Sequence, residues 1–239
     1  MDTNNRFQLF LLHFAGGSVY SYDFLKKHID PNIEFIALEL PGRGKRFSEK
    51  LLKTKSEVIE DYFSQIKKLR NNAPYVLFGH SMGATIGLSL TKRLEAIGDP
   101  PEKLIVSGNP GPGIKKEEDI IRYLLDDFQF KEVLEKLGGV PREVLDNDEL
   151  YEYFAPIMRA DFECLEKYFF SEKGIRINVP IFAMMGNEEE LYTRIENWGN
   201  FTNTDLEFKI LKGNHFFIHE HPFELGNIIM NCCQASIEK

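Results

Sequence analysis

The chain has 239 residues, 43% of them hydrophobic, enough for an ample core in one domain or one domain with a large insertion. A net charge of −8 argues against nucleic acid as a partner. No apolar run reaches the ~18 residues of a membrane helix, and the amino terminus has neither the apolar segment nor the cleavage site of a signal peptide, so a cytoplasmic location without membrane attachment is expected. The cysteines, Cys164 and the adjacent pair Cys232-Cys233, fit neither a disulfide framework nor a metal spacing.

Phe7 to Leu12 reads as a buried strand running into the small-residue loop His13-Phe14-Ala15-Gly16-Gly17-Ser18. Tyr20 to Ile29 has a helical face, and Ile33 to Leu38 is a second strand ending in the loop Leu40-Pro41-Gly42-Arg43-Gly44. From about Ser56, apolar residues recur at helical spacing through Leu69. The run Ala73 to Phe78 is a strand, Gly79-His80-Ser81-Met82-Gly83 a G-x-S-x-G turn, and Ala84 to Ile97 an amphipathic helix. Lys103 to Ser107 is a fourth strand. From Ile114 to about Lys173 the pattern is helical only, with helices expected at Glu117–Asp126, Phe130–Leu137, Asp148–Phe154 and Met158–Phe169. A strand at Val179–Met185, a helix at Leu191–Trp198, a strand at Leu206–Leu211 and a helix from Pro222 to about Ala235 complete the chain.

Strands alternating with helices predict a mostly parallel sheet with helices on both faces. Sixty helical residues exceed any simple crossover. The expected organisation is therefore an α/β core from 1–113 and 174–239, with a helical insertion, 114–173, lying over the sheet.

In such a sheet reactive groups collect at the carboxyl ends of the strands. A serine on a tight strand-to-helix turn is forced into a strained backbone geometry, and small neighbours such as Gly79 and Gly83 let strand and helix approach. Ser81 is the candidate nucleophile. Taken alone, His215 reads sooner as a capping or packing histidine. After the elbow, in the order serine, acid, histidine, it becomes the candidate base. The acid comes from the loop Gly186-Asn187-Glu188-Glu189-Glu190. The Met82 amide and an amide of the Phe14-Ala15-Gly16 turn are the expected oxyanion donors. His80 is expected inside the turn, and His219 and His221 at the surface.

Phe14-Ala15-Gly16-Gly17, Leu40-Pro41-Gly42-Arg43-Gly44-x-Arg46, Phe78-Gly79-His80-Ser81-Met82-Gly83, Leu137-Gly138-Gly139-Val140-Pro141, Arg159-Ala160-Asp161-Phe162 and Gly213-x-His215-Phe216-Phe217 occur in that order. The set resembles the stand-alone type II thioesterases that accompany nonribosomal peptide and polyketide synthetases, relatives of the external thioesterases of fatty-acid synthesis. The resemblance covers nearly the whole chain and implies an α/β-hydrolase fold whose insertion is a mobile lid. It also implies hydrolysis of acyl or aminoacyl thioesters on the 4′-phosphopantetheine arm of acyl or peptidyl carrier proteins, clearing misloaded or stalled arms. No cofactor or metal is expected, and a monomer is the expected state.

Residue by residue, the resemblance implies Ser81 as nucleophile, His215 as base, Ala15 and Met82 as oxyanion donors, and Glu189 as acid. The family acid is normally Asp, and the longer Glu must be drawn back, with Glu188 and Glu190 as alternatives. Asn214 stands where a second Gly often precedes the histidine, and Asn tolerates positive φ better than other non-glycine residues. His13 replaces a frequent Pro. Arg43, Lys45 and Arg46, in a loop on the active-site edge, are candidates to meet the phosphate of the arm. A general carboxylesterase or lipase fits the elbow equally well. The Glu-for-Asp change also admits a catalytically impaired protein that docks on a synthetase.

Overall fold

The computed structural model describes residues 6–114, 120–168 and 170–234. Six strands, β1 (Gln8–Leu12), β2 (Glu34–Ala37), β3 (Tyr75–His80), β4 (Lys103–Ser107), β5 (Ile181–Gly186) and β6 (Leu206–Leu211), form one sheet in the order β2-β1-β3-β4-β5-β6. Every neighbouring pair is parallel. This is the α/β-hydrolase architecture anticipated above.

Side-chain alternation along the strands builds two cores. Phe10, Leu12, Tyr75, Leu77, Leu104 and Val106 point to one face, packed with Val58, Tyr62 and Ile66 of α2 (Lys55–Leu69) and Ile86 and Leu90 of α3 (Met82–Glu95). Leu9, Leu11, Val76, Phe78 and Ile105 point to the other, packed with Leu25 of the short α1 (Asp23–Lys26) and with Leu225 and Ile229 late in the chain. A capping box at Thr54 and Glu57 starts α2.

Between β4 and β5 the chain forms α4 (Asp127–Leu137), α5 (Arg142–Asp146) and α6 (Asp148–Glu166). Phe130, Leu134, Tyr151, Ala155, Met158 and Phe162 give these helices an apolar core of their own. The chain ends with α7 (Pro222–Gln234).

Several expected elements differ in form. The helix expected over Tyr20–Ile29 is a 3₁₀ turn, Val19–Tyr22, followed by α1, because Ser18 caps the turn and the Tyr22 hydroxyl donates to the Leu12 carbonyl. The segment Leu191–Trp198 is the start of a 3₁₀ stretch, Tyr192–Phe201, whose Asn197 and Trp198 side chains donate to backbone carbonyls of residues 109–112. The helix expected from Glu117 begins at residues outside those described, and from residue 120 only the turn Arg122–Leu124 is helical. The two helices expected on either side of Pro156 are one helix, α6, since burial of Tyr151, Ala155, Met158 and Phe162 on a single stripe outweighs one missing amide. Among the described residues no helix is long and apolar enough to cross a membrane.

Candidate active site

Ser81 sits between β3 and α3 at φ 54° and ψ −109°, a strained conformation for a residue with a side chain. The turn persists because its flanks are glycines. A Cβ on Gly79 would run into the Gly83 backbone, and one on Gly83 into the Leu12 carbonyl. The Ser81 amide is anchored by donating to the Ser107 carbonyl at 2.7 Å.

From the end of β6, His215 reaches back to the serine, its Nε2 3.0 Å from Ser81 Oγ. Its Nδ1 lies 2.8 Å from Glu189 Oε2. A carboxylate only accepts, so Nδ1 carries the proton, and Nε2 is left to accept from the serine hydroxyl. Glu189, the second of the three glutamates after β5, thus contacts the imidazole. Its other oxygen accepts the Gly186 amide at 2.9 Å.

Gly213 takes the left-handed conformation, at φ 123°. Asn214 does not; its side chain accepts the Phe216 amide at 2.8 Å and closes the turn that presents His215. The positive φ allowed for Asn214 is therefore not needed. His80 is fully buried against Phe14, Phe216 and His215, with Nδ1 3.0 Å from Ser107 Oγ. Burial, more than any neighbouring group, holds it well below the usual histidine range, so it is a neutral packing ring. His219 and His221 lie toward the surface, His219 stacked on Phe216.

The turn expected to supply an oxyanion donor follows β1. The Gly17 amide donates to the Phe14 carbonyl at 2.9 Å, and the Gly16 amide to Asp161 Oδ2 at 2.8 Å. The amides of Ala15 and Met82 have no protein acceptor among the described residues. Because α3 packs through Gly83 against the end of β1, both amides belong to the same corner of the sheet.

Arg43 and Arg46 are not free cations at the rim, contrary to the expectation that they meet a phosphate. Arg43 is buried, with Nη1 2.6 Å and Nη2 2.8 Å from the two oxygens of buried Asp161. A guanidinium at that depth holds only when paired. Arg46 forks onto Glu49 and Asp61 and also donates to the Glu39 carbonyl. Lys45 is the exposed cation of the three.

Asp161 and Phe216 reach this site although the sequence gives neither a role beyond membership of its motif. Met158 of α6 packs on Gly16, and the ring of Phe216 fills the space where a Cβ of Gly139 would stand. The helices between β4 and β5 therefore touch both the oxyanion turn and the residue beside the histidine. A 680 Å³ cleft runs between α4, α6 and Leu51, but none of Ser81, Glu189 and His215 lines it. Among the described residues no cluster of three or more His, Cys, Asp or Glu is arranged to hold a metal.

A strained serine between strand and helix, in hydrogen-bond line with histidine and carboxylate over a parallel sheet, defines the α/β-hydrolase class. Within that class, residues 7–233 match the model of the Thioesterase family, described as a thioesterase domain, and the chain belongs to it. Relatives such as PikA5 of Streptomyces venezuelae and the medium-chain S-acyl fatty acid synthase thioesterase of Rattus norvegicus are named thioesterases, and thioester hydrolysis is the activity the family assigns to this chain. The linear gramicidin dehydrogenase LgrE of Brevibacillus parabrevis is 30% identical, covering 95% of this chain and 88% of its own. The structure of ClbQ from the colibactin NRPS/PKS pathway superposes with a TM-score of 0.88 at 28% identity, over 97% of this chain and 98% of its own. BorB, the type II thioesterase of the borrelidin biosynthetic cluster, gives 0.85 at 29% identity, over 95% and 93%.

Proposed function

We propose that this chain is a type II thioesterase that clears acyl or aminoacyl groups from the 4′-phosphopantetheine arms of carrier proteins, using Ser81, His215 and Glu189. The observation that carries the catalytic part is the unbroken hydrogen-bond line from Glu189 Oε2 through His215 to Ser81 Oγ. The carrier-protein part rests on similarity to proteins of NRPS/PKS pathways.

In this reading Ser81 Oγ attacks the thioester carbonyl carbon while His215 Nε2 takes the hydroxyl proton. The carbonyl oxygen becomes an oxyanion held by the Ala15 and Met82 amides. Its collapse breaks the C–S bond. The sulfur of the arm takes the proton from His215 and leaves as a thiol; thiols are far more acidic than alcohols, cysteine's ordinary pKa being about 8.5, so sulfur is the better leaving group. Water then attacks the acyl-Ser81 ester, giving its proton to His215, and the acid departs as Ser81 is reprotonated. Glu189 steadies the imidazolium at each step. The helical insertion between β4 and β5 serves as a mobile lid over the substrate channel.

The intact line of hydrogen bonds speaks against the impaired docking protein. The test is release of an acyl group from an acyl-carrier protein by wild type and Ser81→Ala. Equal rates would remove Ser81 as nucleophile, and a strong preference for free short esters over carrier-bound thioesters would favour the carboxylesterase.

A further inference from the structure

The carboxylate of Asp161 makes three hydrogen bonds, and they join three separate parts of the chain. Oδ1 and Oδ2 accept the two terminal nitrogens of Arg43, and Oδ2 also accepts the Gly16 amide. Arg43 Nη1 makes a further, longer bond, 3.3 Å, to the Gly17 carbonyl. Asp161 belongs to α6, Arg43 to the loop after β2, and Gly16 and Gly17 to the turn after β1. Asp161 is 1% exposed and Arg43 3%, so these bonds are sheltered from water, where charge-assisted pairs are strongest. Met158, one turn before Asp161 on α6, seats its sulfur directly over Gly16.

The turn these groups hold supplies the Ala15 amide. Its own closure is a single bond, Gly17 amide to Phe14 carbonyl. Gly16, at φ 75°, has no side chain to fix its peptide plane. The orientation of the turn is therefore set from outside, by Asp161 and Arg43.

We infer that Asp161, held by Arg43, is a positioning residue that aims the Ala15 amide at the oxyanion and makes the donor pair complete only when α6 lies against the turn. The inference rests on the proposed thioesterase mechanism and adds a coupling: displacement of α6 withdraws the acceptor of the Gly16 amide. Neither Asp161 nor Arg43 touches substrate in this account.

The test uses the full chain and two readouts. One is kcat and KM on an acyl-N-acetylcysteamine thioester. The other is the affinity of an alkyl boronic acid, whose boron takes the Ser81 oxygen to form a tetrahedral anion in the oxyanion site. Asp161→Asn keeps the shape but loses the charge that holds both Arg43 and the Gly16 amide. It is expected to lower kcat about tenfold with KM within about twofold, and to weaken the boronic acid by the same factor as kcat. A purely structural role would lower the melting temperature and leave both readouts of the folded protein unchanged.

A folded Asp161→Asn with kcat and boronate affinity near wild type overturns the inference, and so does a loss of kcat with boronate affinity intact. Should Asp161→Asn fail to fold, Arg43→Lys, which keeps a cation but not the two-pronged pairing, is read by the same two measurements, with a matched loss supporting the inference and no loss overturning it. If wild type and Ser81→Ala clear thioester equally, the mechanism itself has failed, which is a separate result.

Discussion

Glu189 folds back on Gly186. One carboxylate oxygen accepts the Gly186 amide at 2.9 Å, the other meets His215 Nδ1 at 2.8 Å, and the Glu189 amide donates to the Gly186 carbonyl at 3.1 Å. In the proposed mechanism this fold-back lets a side chain one methylene longer than Asp serve as the acid: the extra length is taken up in a ring closed on the strand end. Glu189→Gln is expected to cost about 10⁴ in kcat, the loss typical when the histidine loses its carboxylate partner. Glu189→Asp keeps the charge but cannot span both contacts, so an intermediate loss, about 10–100-fold, is expected. Glu188→Gln should stay within about twofold of wild type. Steady-state kinetics of the three variants check this, and an inactive Glu188→Gln beside an active Glu189→Gln would reassign the acid.

Much of this was legible in the sequence, and the reason differs by element. The elbow is a local object: strand, glycine-flanked serine and helix follow one another within about thirty residues, so hydrophobic periodicity and glycine placement suffice. His215 was legible through chain order. Glu189 needed the family resemblance, because three adjacent glutamates are chemically alike and only the fold-back on Gly186 separates them. Arg43 shows the limit. In sequence it is a cation in a glycine-rich loop on the active-site edge, which reads as a candidate for the phosphate of the arm. Its partner is 118 positions away, and nothing in composition or period tells a paired buried arginine from a free exposed one. Pro156 misleads in the other direction, since a local breaker is overridden by tertiary burial of α6.

The glycines of the elbow should not be interchangeable with glycines elsewhere. A Cβ on Gly83 meets the Leu12 carbonyl and must push α3 off β1, which separates the Met82 amide from the Ala15 turn. Gly83→Ala is therefore expected to destabilise by about 1–3 kcal/mol and to lose most activity. Gly98, at φ 76°, has nothing within 4 Å of the added methyl, so Gly98→Ala should cost only about 1 kcal/mol of backbone strain, with normal kcat. Denaturant unfolding with parallel rate measurements distinguishes the two. Equal effects at both positions would contradict the elbow packing.

Lys55 and Glu172 form a second buried pair, 2.8 Å apart, with the ammonium also donating to Ser171 Oγ and the Tyr168 carbonyl. The pair ties the end of the inserted helical segment to the first turn of α2. Glu172→Ala would leave an ammonium uncompensated in the interior, an expected loss of about 3–5 kcal/mol. Replacing both partners, Lys55→Met with Glu172→Leu, should cost much less, because no buried charge is orphaned. Urea titrations of wild type, Glu172→Ala and the double variant supply the comparison. A double variant as unstable as the single one would mean that the charge pair is not what the site requires.

His13 makes stability depend on acid pH. It is 1% exposed, edge-on to the Tyr62 ring, with Nδ1 bonded to the Phe14 carbonyl. Burial, then the positive charge of Arg43, pushes its pKa down to about 4, while Asp161 and the Phe14 carbonyl pull weakly the other way. Between about pH 6.5 and pH 4 the unfolded chain binds a proton at this histidine that the folded chain refuses. Stability contributed by the neutral ring is therefore intact above about pH 6.5 and lost progressively as pH falls toward the folded value. His80, depressed in the same sense, adds to the slope. His13→Asn keeps a group able to reach the Phe14 carbonyl but does not titrate. At pH 7 it should be less stable than wild type through lost packing, and by pH 5 that gap should shrink by roughly 2 kcal/mol. Unfolding free energies at the two pH values measure it, and a gap that does not change with pH would mean that His13 takes up its proton in the folded protein as readily as in the unfolded chain.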